Sequence, residues 1–348
     1  MRRPVWTILV LCSALPAVFA GDVVFDAPSD DRWHYPFNFN PGRRAFASCF
    51  GSTADPNFDT FNDRDGIFVV GWRTDSAICS GLPAMTYDVR SVRVILAHPA
   101  GATWPVDLTP DEAATLAFPI NDVDPGQPVE LFGVGFGPEF TYAGWRETSL
   151  YVGGDDAEFS ERDPFPFIYN AVGDRVHVED SVKIRFTPTP WSVGVPQSYS
   201  PGNQTTPFDV FFGLNLGLSD GRVRRYFQDQ LSGGRVLVAV TSLAVTFKQA
   251  PSGFPTFYTK EGAVADPNGS APVLIVEIAP SGDLDGDARR DADDWAALYD
   301  CLAGPDADPI PSAPLTAAVC LCVFDLDEDS DVDLEDAGLF AKRFNGGN

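Results

Sequence analysis

Histidine is nearly absent from this sequence, and few residues are spaced as known catalytic motifs require. His34, His98 and His177 are the three histidines in 348 residues, and they lie far apart in the chain. A hydrolase that uses a Ser-His-Asp triad is therefore not expected. The segment 133–137, GVGFG, lacks the GxGxxG spacing and precedes no helical pattern, so no dinucleotide site is predicted there.

Positive charge is also scarce. The chain has 24 lysines and arginines against 49 aspartates and glutamates, which gives a net charge of −25. Residues 281–348 alone contain 17 acidic and 4 basic residues, so much of the excess lies at one end. Duplex nucleic acid, itself densely negative, is excluded as a favourable partner. Cations fit the charge better.

Long apolar runs are missing after the first twenty residues. Residues 1–20 combine Arg2 and Arg3, an apolar run over 5–15 and a small-x-small end at 18–20, which predicts a secretory signal peptide. That run is too short to span a bilayer, and no later stretch approaches the roughly 18 apolar residues of a membrane helix. We therefore expect an exported protein, extracellular or at the cell surface, without a membrane span.

Residues 21–279 have the pattern of one large β domain. Short apolar runs such as IFVVGW at 67–72 and VLIVEI at 273–278 are separated by glycine, proline and polar turn residues. Many strands with few helices predict a mostly β fold, an antiparallel β-sandwich or jelly roll.

One helix is predicted inside this domain. The segment SDGRVRRYFQDQLSGG offers Ser219 or Asp220 as the N-cap, and Gly233-Gly234 ends it. Residues 279–283, APSGD, are the predicted linker to a small second domain at 280–348.

Five cysteines remain once the signal segment is removed. In an oxidising compartment they favour disulfides over metal thiolates, and no CxxC pair indicates a zinc site. We predict a bridge from Cys49 to Cys79 within the large domain. A second is predicted from Cys301 to either Cys320 or Cys322, and one thiol is left over.

The acidic end contains an internal repeat. GDLDGDARRDADDWAALYDCL starts at Gly282 and FDLDEDSDVDLEDAGLFAKRF at Phe324, and each runs from an acidic loop into an amphipathic helix. So many carboxylates in so little chain repel one another unless a cation lies between them. An EF-hand-type loop of 12 residues holds calcium through oxygens at positions 1, 3, 5, 7, 9 and 12, with a backbone carbonyl at position 7.

Both copies carry an oxygen at every one of these positions, so the sequence predicts two calcium ions. In the first loop the predicted ligands are Asp283, Asp285, Asp287, the carbonyl of Arg289, Asp291 and Asp294. In the second loop they are Asp325, Asp327, Asp329, the carbonyl of Asp331, Asp333 and Asp336. Position 6 usually needs glycine for a sharp turn, and here it is Ala288 or Ser330, at a cost of roughly 1 kcal/mol each.

Two loop-helix repeats without the helix that precedes each loop in a full EF-hand resemble a type I dockerin, over residues 282–346. The resemblance implies a small module, folded by calcium, that docks onto a cohesin-like protein. Cellulosomal dockerins often have Ser-Thr at loop positions 10 and 11, whereas this chain has Ala292-Asp293 and Leu334-Glu335. With its long cysteine-bearing insert, the chain looks more like divergent dockerins on secreted proteins of non-cellulosomal bacteria.

The large domain has a looser resemblance. LPAMTYDVRSVRVIL, followed by GGRVLVAVTSL, FPTFYTKEG and APVLIVEI, is similar to the jelly-roll domains called DNRLRE on secreted bacterial proteins. Residues 258–261 and 272–274 stand where that family has its last turn and last strand. The resemblance implies a jelly roll, and polysaccharide binding is known for some members.

Polysaccharide binding by such a domain uses exposed aromatic rings that stack on sugar rings. The candidates, mostly in predicted loops, are Trp33, Tyr35, Trp104, Trp145, Trp191 and Tyr199. For each one, packing in the core or in a loop is the competing interpretation. A further acidic segment at 55–66, with Asp55, Asp59, Asn62, Asp63 and Asp65, could hold a structural calcium ion, but it fits no fixed ligand spacing and is interpreted as a solvated turn.

Three functional hypotheses follow. The leading one is a secreted, non-catalytic protein in which a carbohydrate-binding β-sandwich is attached to a calcium-dependent, dockerin-like docking module. The second is a polysaccharide-degrading enzyme, a glycoside hydrolase or lyase, that carries a dockerin. Such an enzyme needs two carboxylates about 5–10 Å apart across a cleft, and the sequence does not identify the pair. The third is a structural cell-surface protein.

Overall fold

The computed structural model describes residues 21–36, 38–51, 65–99, 103–110, 126–152, 163–181, 186–199, 209–243 and 253–345. The predicted signal segment at 1–20 lies outside them. So do Asp55, Asp59, Asn62 and Asp63 of the acidic segment at 55–66.

The described residues are mostly β, as the sequence predicts. The strands are β1 Gly21–Phe25, β2 Asp30–His34, β3 Phe46–Ser48, β4 Ile67–Arg73, β5 Asp88–Ala97, β6 Glu130–Gly135, β7 Phe165–Tyr169, β8 Arg175–His177, β9 Ser192–Val193, β10 Val195–Pro196, β11 Asp209–Asn215, β12 Arg235–Thr241, β13 Thr256–Tyr258 and β14 Val273–Ala279. The α-helices are α1 Gly221–Ser232, α2 Lys260–Ala265, α3 Ala292–Cys301, α4 Ala317–Phe324 and α5 Leu334–Arg343.

Every pairing between these strands is antiparallel. The first sheet has the order β1-β14-β5-β11-β10, and the second has the order β2-β4-β12-β6-β7-β8, with β9 also on β6. A two-stranded sheet pairs β13 with β3. Consecutive strands such as β4 and β5 lie in different sheets, as expected when two sheets share one core.

The two main sheets form a sandwich around one hydrophobic core. Alternate residues of β11, Val210, Phe212 and Leu214, are buried while their neighbours are more exposed, so this strand has one core face and one solvent face. Phe68 from β4 and Val238 from β12 belong to the same core cluster as these residues. Burial of these side chains supplies the main driving force for folding the sandwich.

The outer face of the second sheet is also covered. Ile67 in β4 and Leu237 in β12 pack with Trp145 in a second cluster, with Phe136 and Tyr142 against it. The segment that follows β6 therefore folds back over the sheet. This explains why β4 and β12 are almost continuously apolar rather than alternating.

Helix α1 forms as predicted. The Asp220 side chain accepts a hydrogen bond from the Arg222 backbone N–H, which caps the helix start. Gly233 follows the last helical residue, and Gly234 has a φ of 71°, which glycine adopts at little cost. Phe227 and Leu231 pack into the sandwich core. No helix in the described part of the chain is long and apolar enough to cross a membrane.

Residues 280–345, the C-terminal unit, have a hydrophobic cluster of their own. Leu298 from α3, Phe324 at the end of α4 and Phe340 from α5 are fully buried in it. Helix α4 lies in the insert and ends directly before the second acidic loop, whereas the dockerin resemblance implied loops without a preceding helix. The run AAVCLCVF, whose Thr316 caps the helix, supplies the apolar residues for it.

The cysteine pairing differs from the sequence prediction. The structure bonds Cys79 to Cys322 and Cys301 to Cys320, and Cys49 is free. The predicted Cys49–Cys79 bridge is therefore wrong. Cys49 is fully buried in the sandwich core, where its thiol donates to the Val240 carbonyl oxygen at 3.3 Å and burial raises its pKa.

The segment 279–283, predicted as the linker, is buried at each of its residues. The C-terminal unit packs onto the loop between β4 and β5. Besides the Cys79–Cys322 bond, the Thr86 hydroxyl donates to the Leu284 carbonyl oxygen at 3.3 Å. A Cβ on Gly286 would approach Pro83 to 2.6 Å, so the first acidic loop lies directly against the sandwich.

Candidate functional site

The first acidic loop closes around the carboxylate of Asp283. Its two oxygens accept hydrogen bonds from the backbone N–H groups of Gly286 at 2.8 Å and Ala288 at 2.9 Å. Asp294, at position 12, accepts from the Leu284 N–H at 2.7 Å and from the Asp291 N–H at 3.1 Å. The first and last predicted ligands are therefore held in place by the loop's own backbone.

The second loop repeats this pattern closely. Asp325 accepts from the backbone N–H groups of Asp329 and Ser330, each at 3.1 Å. Asp336 accepts from the N–H groups of Leu326 and Asp333. In both loops the residues at positions 9 and 12 form a capping box at the start of the following helix, α3 or α5.

The backbone turns of the two loops are also equivalent. At position 4, Gly286 and Glu328 have φ values of 71° and 73°. At position 6, Ala288 and Ser330 have φ values of 69° and 78°. The left-handed turn that the EF-hand pattern requires at position 6 is thus present without glycine, at a cost of roughly 1 kcal/mol per residue.

The carboxylates converge on three groups, in each of which one oxygen per residue lies within 4.8 Å of the others. These groups are Asp283 with Asp285 and Asp294, Asp325 with Asp327 and Asp336, and Asp331 with Asp333 and Asp336. All of these carboxylates except that of Asp331 were predicted as side-chain ligands. Asp331, predicted to act through its carbonyl, also contributes a carboxylate.

The remaining predicted ligands are placed differently. Asp287 and Asp329, at position 5, accept hydrogen bonds from the N–H groups two residues later, at 2.8 and 3.2 Å. Asp291 caps α3 through the Asp293 N–H at 3.0 Å. The side chain of Arg289 is exposed, and the ligand predicted there is its carbonyl.

The charge in these loops is incompletely compensated by protein groups. Burial, with a smaller contribution from neighbouring carboxylates, raises the pKa of Asp283 to about 6 and that of Asp325 to about 7. Asp331 is only 4% exposed, and its Oδ1 has no hydrogen-bond partner in the described structure. Hard oxygen donors with unused lone pairs fit a calcium ion, and the residues present are suited to hold one in each loop.

A fourth acidic cluster lies in the sandwich, and a lysine side chain supplies its positive charge. Asp31, Glu147 and Glu261 surround the ammonium group of Lys260, which forms an ion pair with Glu147 and lies 3.7 Å from an oxygen of each of the other two. Burial raises the pKa of Asp31 to about 7. This cluster is a side-chain ion network, and we do not assign it a metal.

Two of the aromatic candidates are core residues. Trp104 is 1% exposed and donates its Nε1–H to the Gln127 carbonyl oxygen at 3.2 Å. Trp145 is fully buried against the outer face of the second sheet. Neither ring has a face that a sugar can reach, so the prediction of these two as binding platforms is wrong.

Trp33 and Tyr35 stack on one another. Their ring centres are 4.4 Å apart with an angle of 13° between the planes, and the Arg44 guanidinium lies 5.7 Å from the Trp33 ring. Trp33 also donates to the Ser48 carbonyl oxygen at 2.8 Å. Tyr199 is 42% exposed and lies beside residues outside the described structure.

Trp191 lines an open groove together with Tyr169. The two rings are nearly parallel, at 10°, with centres 6.4 Å apart. The groove has a volume of about 280 Å³ and is also lined by Thr189, Ser219 and Asp220. Tyr169 was not among the sequence candidates for sugar binding, because only the folded structure shows that its ring lies beside that of Trp191.

The segment 217–221 of this groove reads GLSDG and matches the GxSxG pattern of serine hydrolases. It connects β11 to α1, but its serine is not set up as a nucleophile. The Ser219 hydroxyl has no hydrogen-bond partner in the described structure, and its backbone is not among those with positive φ. Within the described residues, therefore, no base is hydrogen-bonded to Ser219.

Neither a protein-family model nor a curated protein sequence matches the chain. Among solved structures, the unassembled VP1 pentamers of Washington University polyomavirus (a point mutant) and KI polyomavirus are similar at 11% and 10% identity. These matches cover 77% and 76% of this chain, and 97% and 96% of the viral chains, with TM-scores of 0.22 and 0.21. At such scores the likeness carries no argument about function.

Proposed function

We propose that the C-terminal unit binds two calcium ions, one in each loop from Asp283 to Asp294 and from Asp325 to Asp336, and serves as a dockerin-like docking module on an exported β-sandwich protein. The observation that carries the proposal is the equivalence of the loops in backbone turns, capping boxes and buried carboxylate groups. Two separate segments 42 residues apart share this geometry, which a merely solvated acidic tail does not require.

A cohesin-like protein is the partner that the resemblance implies. Helix α3 offers apolar surface for such a partner, since Trp295 and Tyr299, one turn apart, are 40% and 71% exposed. Aromatic residues are enriched where proteins bind each other. Export and a location outside the cell remain part of the proposal, on the strength of residues 1–20.

Calorimetric titration of the full chain with calcium tests the proposal. We expect two ions per chain for the wild type. The double variant Asp325→Ala/Asp327→Ala removes two carboxylates of the second loop and is expected to bind one ion, and Asp283→Ala/Asp285→Ala is expected to do the same for the first loop. Asp308→Asn, an exposed acid in the same unit, is the control and keeps both sites. Unchanged stoichiometry in both double variants contradicts the assignment.

A second candidate function is binding of a polysaccharide by the groove between Tyr169 and Trp191. The specific observation in its favour is the pair of near-parallel rings in a groove that the polar side chains of Thr189 and Asp220 also line. Such a combination of apolar faces with a few polar groups is typical of ligand sites. The carboxylate cluster that the described part of the sandwich contains gives the degrading-enzyme alternative no comparable support, because Asp31, Glu147 and Glu261 are engaged with Lys260.

Affinity electrophoresis against a panel of soluble polysaccharides tests the groove. We expect at least one polysaccharide to retard the wild type and the variant Tyr169→Ala to lose most of that retardation, because stacking area is removed. Tyr199→Ala, which truncates an exposed aromatic outside the groove, is the matched control and should behave as wild type. If no polysaccharide retards the protein, or if both variants weaken binding equally, the groove is not the site.

A further inference from the structure

A second cavity, independent of the calcium loops and of the Tyr169–Trp191 groove, is lined by arginines. It lies where β4 ends and β12 begins, has a volume of about 380 Å³, and is lined by Arg73, Arg146 and Arg235 together with Asp30 and Tyr142. Its volume is within the range of about 300–1,000 Å³ that ligand pockets usually have. Three guanidinium groups around one cavity are unexpected in a chain whose net charge is −25.

The fold forces two of these positive charges together. Arg73 at the end of β4 and Arg235 at the start of β12 are directly opposite each other in the antiparallel register. Like charges at opposed positions destabilise a strand pair. Burial is the main cause that lowers the pKa of Arg235. The positive charges of Arg146 and Arg73 nearby lower it further.

Arg235 is the fixed centre of the cavity. It is 8% exposed, and its Nη1 donates to the carbonyl oxygens of Tyr142 at 3.2 Å and Trp145 at 3.1 Å. Its Nη2 lies 3.0 Å from Asp30, whereas its Nε has no hydrogen-bond partner in the described structure. A buried guanidinium with an unused donor is costly unless a further acceptor is supplied.

The carboxylates nearby do not cancel the positive charge. Asp30 pairs with Arg235 and also accepts from the Ser29 hydroxyl at 2.8 Å. Asp75 pairs with Arg73 outside the cavity lining. Arg146 donates to the carbonyl oxygens of Ala143 at 2.8 Å and Trp145 at 2.6 Å, which orients it without neutralising it. One net positive charge remains among these groups.

We propose that this cavity binds the negatively charged group of a small ligand, a carboxylate or a sulfate, as carried by an acidic sugar unit. The planar guanidinium matches both groups through paired N–H···O bonds, which are among the stronger hydrogen bonds in proteins. Tyr142, whose ring lies 5.9 Å from the Arg235 guanidinium, supplies an apolar wall beside the charge. The site requires neither calcium nor the Tyr169–Trp191 groove.

Isothermal titration of the full chain at fixed ionic strength tests the proposal, with sodium glucuronate, sodium sulfate and glucose as probes. We expect saturable binding of glucuronate, sulfate or both, and none of glucose. Binding of glucuronate alone identifies a carboxylate site, and binding of sulfate alone identifies a sulfate site. Arg146→Gln is expected to weaken the binding about tenfold, since it removes one charge-assisted contact. Arg225→Gln, an exposed arginine on α1, is the charge-matched control and should leave binding unchanged.

Arg146→Gln is preferred to a change at Arg235, because Arg235 supports the packing around Asp30 and its loss endangers folding. Arg73→Gln provides a second, exposed variant with the same expected direction. The proposal is overturned if neither anion binds the wild type, or if Arg225→Gln weakens binding as much as Arg146→Gln. Since calcium stoichiometry is measured separately, either proposal can fail without the other.

Discussion

Removal of calcium with a chelator is expected to take away most of the stability of the C-terminal unit. An ion that binds only the folded loop adds RT ln(1 + [L]/Kd), about 4 kcal/mol at a thousandfold excess over Kd. Two such ions contribute about as much as the whole stability of a typical small domain, about 5–15 kcal/mol. The expected result is a separate, low-temperature unfolding transition in chelator that merges with the main transition when calcium is added back.

The physical reason lies in the buried carboxylates. Asp325 and Asp336 are both fully buried, and the other carboxylates of the second loop lie close to them. Burial and repulsion together disfavour their charged forms, as the raised pKa values of Asp325 and Asp336 show. A divalent cation among them converts the repulsion into attraction. Without it, the unit relies on its small apolar core and on two disulfides.

Differential scanning calorimetry in calcium and in chelator measures the effect. The difference in tryptophan fluorescence between the wild type and Trp295→Phe reports on the unit itself, because the Trp295 ring lies 5.7 Å from the Phe340 ring. Asp308→Asn controls for net charge and should retain the full calcium response. Asp336→Asn, which changes a carboxylate shared by two of the acidic groups, should lose a large part of it. Identical melting curves with and without calcium contradict the proposal.

Local signals in the sequence predicted local structure well. Helix α1 forms at the predicted place, with Asp220 as its cap and the glycine pair at its end, because cap, apolar face and stop signal all lie within 16 residues. The left-handed turns at Ala288 and Ser330 were predicted from position 6 of the loop pattern alone. Strands such as β4 and β14 likewise follow from short apolar runs.

Features that depend on the tertiary fold were not predictable in this way. The partner of Cys79 is 243 residues away in sequence, and nothing near either cysteine identifies the other. The arginine cavity needs the register of β4 against β12 and the fold-back of the segment carrying Arg146. Whether a tryptophan is a platform or a core residue depends on what covers it, as Trp145 and Trp191 illustrate.

Opening the Cys79–Cys322 disulfide is expected to destabilise the protein by about 5 kcal/mol. In the chain-entropy account, a cross-link that closes a loop of 243 residues restricts the unfolded chain by about that amount. The bond also fixes the C-terminal unit to the sandwich beside the contact between Thr86 and Leu284. The double variant Cys79→Ala/Cys322→Ala, unfolded with guanidinium in saturating calcium, measures the loss, and it leaves the Cys301–Cys320 bond intact.

Thr86→Val is the matched control at the same interface, because it removes only the hydrogen bond to the Leu284 carbonyl oxygen, which is 3.3 Å long in the structure. We expect it to cost about 1 kcal/mol, the usual net contribution of one hydrogen bond. The cysteine variant should also become sensitive to protease within 279–283, a segment that is buried between the sandwich and the C-terminal unit. A cysteine variant no less stable than Thr86→Val, with 279–283 still protected, would show that packing rather than the cross-link holds the unit in place.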